Sequence, residues 1–115
     1  MRKILICLFT LSISIQIYSQ QSKGMSYQAV VRDGNNELIV EGSVGIKIDI
    51  KIENMVVYSE THTELTNENG LLTIEIGSGT VLDGSFADID WSAPQHFLMV
   101  SIDPEGGSNY TIEAE

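Results

Sequence analysis

Glu60, His62 and Glu64 stand two residues apart in "YSETHTE", between Tyr58 and Glu64. On a strand that spacing puts all three on one face. Two carboxylates and an imidazole are the donors of a zinc site, or a base with the acid that orients it. A structural zinc takes four ligands, and no fourth is evident. The simpler expectation is a solvated strand face, with Thr61, Thr63 and Leu65 turned inward. Asp88 and Asp90 flank Ile89 just before Trp91. Paired carboxylates are what glycoside hydrolysis needs. Tyr58, Trp91 and Tyr110 are a candidate aromatic platform for a sugar, or core filling. His96, after Pro94 and Gln95, has no partner visible in the sequence.

"DGNNE", from Asp33 to Glu37, begins like a calcium loop. An EF-hand would need Gly at the sixth place and Glu at the twelfth, where Leu38 and Val44 stand. A tight turn explains Gly and Asn better, because both tolerate positive φ. There is no G-x-S-x-G nucleophile motif, and Gly77-Ser78-Gly79 opens no helix that would cradle a phosphate. No catalytic, metal or cofactor residue is therefore assigned, and no cofactor is expected.

The elements that carry these residues are strands. Val44, Ile46, Ile48, Ile50 and Ile52 alternate with Gly45, Lys47, Asp49 and Lys51. Five apolar residues at a spacing of two predict a half-buried strand, with Lys47, Asp49 and Lys51 facing out. Tyr27, Ala29 and Val31 repeat the pattern upstream, and Leu72, Ile74 and Ile76 repeat it downstream. Residues 56–65 are extended. Residues 97–102 form a strand whose inner face the pattern leaves open, and Tyr110 to Ile112 is a short last strand. "RDGNNE", "NENG", "GSGT" and "DPEGGSN" are turn chemistry. Phe86 to Ile89 is a short helical turn. Strands this short and regular predict an all-β, antiparallel β-sandwich of about seven strands, immunoglobulin-like or transthyretin-like by analogy of fold alone.

The ends and the charge say where such a domain works. Arg2 and Lys3 precede an apolar run from Ile4 to Ile17, and Ser19 is a small residue at a cleavage position. That is the layout of a signal peptide over residues 1–19. The run is shorter than the roughly 20 residues of a membrane-spanning helix, so no membrane insertion is expected after cleavage. Residues 20–115 then suit one small domain. Cys7, the single cysteine, lies inside the apolar run and is poorly placed for lipid attachment. The rest of the chain has no thiol chemistry and no disulfide. All 16 acidic residues lie after residue 19, against Lys23, Arg32, Lys47 and Lys51. So acidic a surface repels phosphate backbones and anionic lipid, which argues against nucleic acid as a partner.

Three long blocks carry a resemblance: "YQAVVRDGNNELIVEGSVGIKIDI", "VVYSETHTELTNENGLLTIEIGSGTVLDGSFADIDWS" and "FLMVSIDPEGGSNYT". Over Met25 to Thr111 the chain resembles the N-terminal β-sandwich module of secreted and cell-surface proteins of Gram-negative bacteria. In such proteins the module follows a signal peptide, and collagen-like, coiled or otherwise fibrous stalks, sometimes tail-fibre-like, often come after it. The resemblance implies that "IDWS" is a structural corner, in which Ile89 and Trp91 pack and Asp90 or Ser92 bonds the backbone, and that the chain is an exported, non-catalytic structural or adhesion-type module. Its partner would be a protein: its own downstream stalk, another copy or a surface partner. The second reading is a small carbohydrate-binding module. The family pattern continues past "NYT" into one more strand ending near L-S-V-P-Y-A, where this chain has "IEAE". That departure carries the expectation of a sheet short of one strand.

Overall fold

The computed structural model describes residues 24–114. The signal-peptide reading falls on residues outside them. Seven strands follow in chain order: β1 (Met25–Val30), β2 (Ser43–Ile52), β3 (Met55–Leu65), β4 (Leu71–Ile76), β5 (Thr80–Asp83), β6 (His96–Asp103) and β7 (Ile112–Ala114). The helical turn is a single 3-10 turn at Phe86–Asp88. Strands β1 and β4 pair as a two-stranded sheet, and the other five form a sheet in the order β5-β3-β2-β6-β7, every pairing antiparallel. The fold is the expected all-β sandwich.

The period of two in β2 sets the core. Ile46, Ile48 and Ile50 are all at least 98% buried. The register pairs them with His62, Glu60 and Tyr58 on β3, and with Ile102, Val100 and Leu98 on β6. That pairing fixes the inner face of β6, which the sequence pattern left open. Leu72, Ile74 and Ile76 of β4 close the core from the other sheet, with Val31, Val44 and Ile89 at its margins and Tyr27, Ile39 and Phe86 packed against it. Removing this apolar surface from water is the main driving force for folding.

Three expectations, on a strand face, on exposure and on a strand boundary, need correction. Glu60 and His62 lie on the inner face and Leu65 is exposed, so the expected solvated face is reversed. The cross-strand register with Ile48 and Ile46 overrides the local apolar cue of Leu65. Asp49 does face away from the core, yet it is buried. The Ser59 hydroxyl donates to its Oδ1 and the Lys47 ammonium lies 3.8 Å away. The 103–111 loop lies nearby, for the Tyr110 phenol is held above its ordinary range by burial and then by the charges of Asp103 and Asp49. The last strand is Ile112–Ala114, two residues later than expected, with Tyr110 in the loop before it.

Turn residues act through their side chains. Asp33 Oδ1 accepts the N–H groups of Asn35 at 2.8 Å and Glu37 at 3.0 Å, and Asn36 takes a φ of 66°. Asn67 Oδ1 does the same for Asn69 and Leu71, with Gly70 at a φ of 75°. These are Asx turns, in which a short side chain replaces a backbone acceptor. Among the described residues no helix is long and apolar enough to cross a membrane.

Candidate functional site

The chain crosses from one sheet to the other at Gly77-Ser78-Gly79, between β4 and β5. A side chain at Gly79 would start 2.5 Å from the Thr61 carbonyl and 2.6 Å from His62 Nε2. Real Cβ atoms do not come that close, so glycine is what lets the crossing lie flat on β3. This crossing and β3 together build the most chemically loaded spot in the described residues.

Glu60 is its centre, with no accessible surface. Its Oε1 accepts the Tyr58 hydroxyl at 2.5 Å, and its Oε2 meets His62 Nε2. The Gly77 N–H lies 2.9 Å from Oε1 and 3.1 Å from Oε2. A carboxylate only accepts, so Nε2 carries the proton in this pair. Burial first, then the hydrogen bond to Glu60 and its charge, push the Tyr58 phenol well above its ordinary range. The imidazole opens on a shallow cleft of about 520 Å³, lined by Gly24, Ser26, Glu64, Thr73, Glu75 and Ser78 among others.

A carboxylate that orients an imidazole is half of a general-base assembly. The other half is a nucleophile or a bound substrate group at the second ring nitrogen. No hydroxyl hydrogen-bonds His62 among the described residues, and the nearby Ser78 hydroxyl donates to the Glu75 carbonyl at 2.8 Å. The third member of the sequence trio, Glu64, is exposed. No group of three or more metal-ligating side chains gathers among the described residues. The arrangement ties β3 to the β4–β5 crossing by a backbone N–H, with every buried side-chain polar atom partnered among the described residues.

The other sequence candidates are placed apart. Asp90 Oδ1 accepts the Ser92 hydroxyl at 2.5 Å and its N–H at 3.1 Å, and these bonds hold its carboxyl below the usual range. That is the bonding expected of the corner. Ile89 packs in the core, but Trp91 is 49% exposed instead of packed inward. Its ring stacks on His96 at 5.0 Å and meets Phe86 edge-on at 5.9 Å. His96, without a visible partner in the sequence, also reaches the Asp90 carbonyl with Nε2 at 2.9 Å. The three aromatics of the proposed platform do not meet: Tyr58 is fully buried on the inner face and the Tyr110 phenol feels the charges of the outer one. The chain instead forms a string of rings, Tyr58, Phe86, Trp91 and His96, running from core to surface.

Sequence reasoning missed the Tyr58 and Gly77 contributions to the Glu60 cluster. Tyr58 carried a signal, since it shares the two-residue spacing of Glu60 and His62. Gly77 carried none, because its N–H meets Glu60 only through the fold.

Comparison with curated proteins and with solved structures finds no significant match. The family described as a domain of unknown function, DUF8740, matches residues 26–114, from the second residue of β1 to the end of β7, and the chain belongs to that family.

Proposed function

We propose that this chain is an exported, non-catalytic structural or adhesion-type module of a bacterial surface or secreted protein. One observation carries the reading. The residues that could do chemistry are committed to holding backbone and core. Glu60 is saturated by Tyr58, His62 and Gly77. Asp33, Asn67, Asp90 and Asp103 each accept local backbone N–H groups. The basic, then apolar, leader at residues 2–17 and the resemblance over Met25 to Thr111 support export and a surface setting.

The half-exposed Trp91 favours a second reading, a small carbohydrate-binding module. An exposed indole beside a carboxylate is a common sugar-stacking arrangement, though one ring face here already meets His96.

Expression in a Gram-negative host tests the first reading. The exported product should begin at Gln20 and be inert toward ester and glycoside substrates. A cytoplasmic product that keeps Met1 overturns export. Turnover that Glu60→Gln abolishes overturns the non-catalytic assignment. Retention on a glycan array that Trp91→Ala abolishes moves the assignment to the second reading.

A further inference from the structure

We propose that the open edge of β1 is a strand-addition site for an extended, basic segment of a partner protein. The proposal deepens the reading as an exported structural or adhesion-type module and rests on it.

The parity of the β1–β4 ladder comes first. The Asn67 N–H donates to the Leu71 carbonyl and the Ser78 N–H to that of Glu75, so both β4 residues face away from β1. In an antiparallel ladder their partners, Val30 and Ser26, then face away from β4, and so does Gln28 between them. Ser26, Gln28 and Val30 are all exposed, and their outward N–H and C=O groups have no partner among the described residues.

The other edges are protected. Strand β4 is capped at both ends by the bonds just named, and Asn67 Oδ1 also takes the Leu71 N–H. Strand β5 is four residues long, and its pairing is broken by a register shift. Strand β7 is three residues long. Sheets blunt their edges with short strands, bulges, lysine and proline. The β1 segment, Met-Ser-Tyr-Gln-Ala-Val, is six residues long, in continuous register, and has none of these devices.

A second observation points to the occupant. At the Met25 end of β1 lies a mostly apolar cavity of about 180 Å³, lined by Met25, Ile50, Trp91, His96, Phe97 and Leu98. It has room for one medium aliphatic side chain of an added strand. Strand addition works this way: backbone bonds give affinity and pockets for alternate side chains give specificity. Charge selects the kind of strand. The chain holds 16 acidic residues against 6 basic ones, and Asp90 immediately precedes Trp91 of the cavity wall in the sequence. A basic strand is attracted to that surface, whereas a second copy brings the same acidic surface and is repelled.

The test uses the purified protein and peptides of about ten residues that alternate Val and Thr, with Leu near one end. One peptide is flanked by Lys and one by Glu. Amide exchange by NMR and the emission of Trp91, the only tryptophan, are the readouts. The Lys-flanked peptide should protect the amides of Ser26, Gln28 and Val30 and shift the Trp91 emission. The Glu-flanked peptide should bind at least about tenfold more weakly. Gln28→Pro removes an outward N–H and no ladder bond, so it should fold and bind at least about tenfold more weakly. No protection of the three amides by the Lys-flanked peptide overturns the site, whatever the proline variant does. Equal binding of the Glu-flanked peptide overturns the charge assignment. Protection that grows with protein concentration alone overturns the partner and assigns a second copy. Failure here, with the protein still exported and inert, removes this site and leaves the module reading in place.

Discussion

At the scale of single residues, the buried carboxylate decides most. Glu60 accepts from a phenol, an imidazole and a backbone N–H, all away from water. Glu60→Ala leaves the Tyr58 hydroxyl and the Gly77 N–H without that acceptor. The expected loss is about 3 kcal/mol, read as a lower urea midpoint at unchanged slope. Glu60→Gln should fall between, since an amide oxygen still accepts but its NH₂ now faces donors. A loss under about 1 kcal/mol for the alanine variant would show that water takes over the contacts. Two other carboxylates make stability depend on acid. Hydrogen bonds from Ser92 lower the Asp90 carboxyl, and the N–H groups of Glu105 and then Asn109 lower that of Asp103. Both bind protons less readily folded than unfolded. Their stability is therefore present above the unfolded carboxylate value of about 4 and lost as pH falls through the folded values. Urea midpoints across that window should decline, and Asp103→Asn should decline less steeply. The Tyr58 phenol works in the opposite sense. Its raised value holds stability below about pH 10 that is lost above it, and its absorbance should titrate after that of free tyrosine.

At the scale of elements, the two-residue period was the legible part. It gave β2, β4 and the sandwich class, because one face of each strand is nearly pure aliphatic. Ile48→Ala should cost about 2–5 kcal/mol, whereas Lys47→Ala, at a partly exposed outward position, should cost under about 1 kcal/mol. Strand β3 was misread for a physical reason. Its inner face carries Tyr58, Glu60 and His62, polar residues that become acceptable inside only because they satisfy one another and Gly77. That satisfaction is a tertiary fact, and alternation along β3 alone points the wrong way. Asp49 was misplaced similarly: its outward direction was legible, but its cover was not. The β4–β5 crossing shows the same limit. "GSG" announces a turn, yet the need for glycine at position 79 arises from Thr61 and His62, far back in the chain. Gly79→Ala should therefore be destabilising by about 2 kcal/mol or more, although alanine usually stabilises a tolerant glycine position by limiting the unfolded chain. A neutral or stabilising result by thermal melting would mean that β5 shifts off β3 at little cost.

At the scale of the whole molecule, charge is the property most visible in the sequence and least used by the fold. All 16 acidic residues follow residue 19. Several are tied to local N–H groups, and these bonds position turns without neutralising charge. Among the described residues, one ion pair joins Lys47 to Asp49 at 3.8 Å, on a partly exposed lysine. Exposed pairs contribute little and are weakened by salt. Like-charge repulsion across the surface is also weakened by salt, and here it involves many more groups. The two effects have opposite signs, so salt decides which dominates. Raising NaCl from about 10 mM to about 150 mM shortens the screening length from roughly 30 Å to about 8 Å, which is less than the width of a sandwich domain. The urea midpoint should therefore rise with salt, and most of the rise should come before about 150 mM. Potassium chloride should act like sodium chloride if screening is the cause, while a preference for one cation would indicate binding. A midpoint that falls with salt would mean that specific ion pairs outweigh the acidic excess. In that event charge would lose its place as the selector of a basic partner strand at the β1 edge, since the same repulsion underlies both.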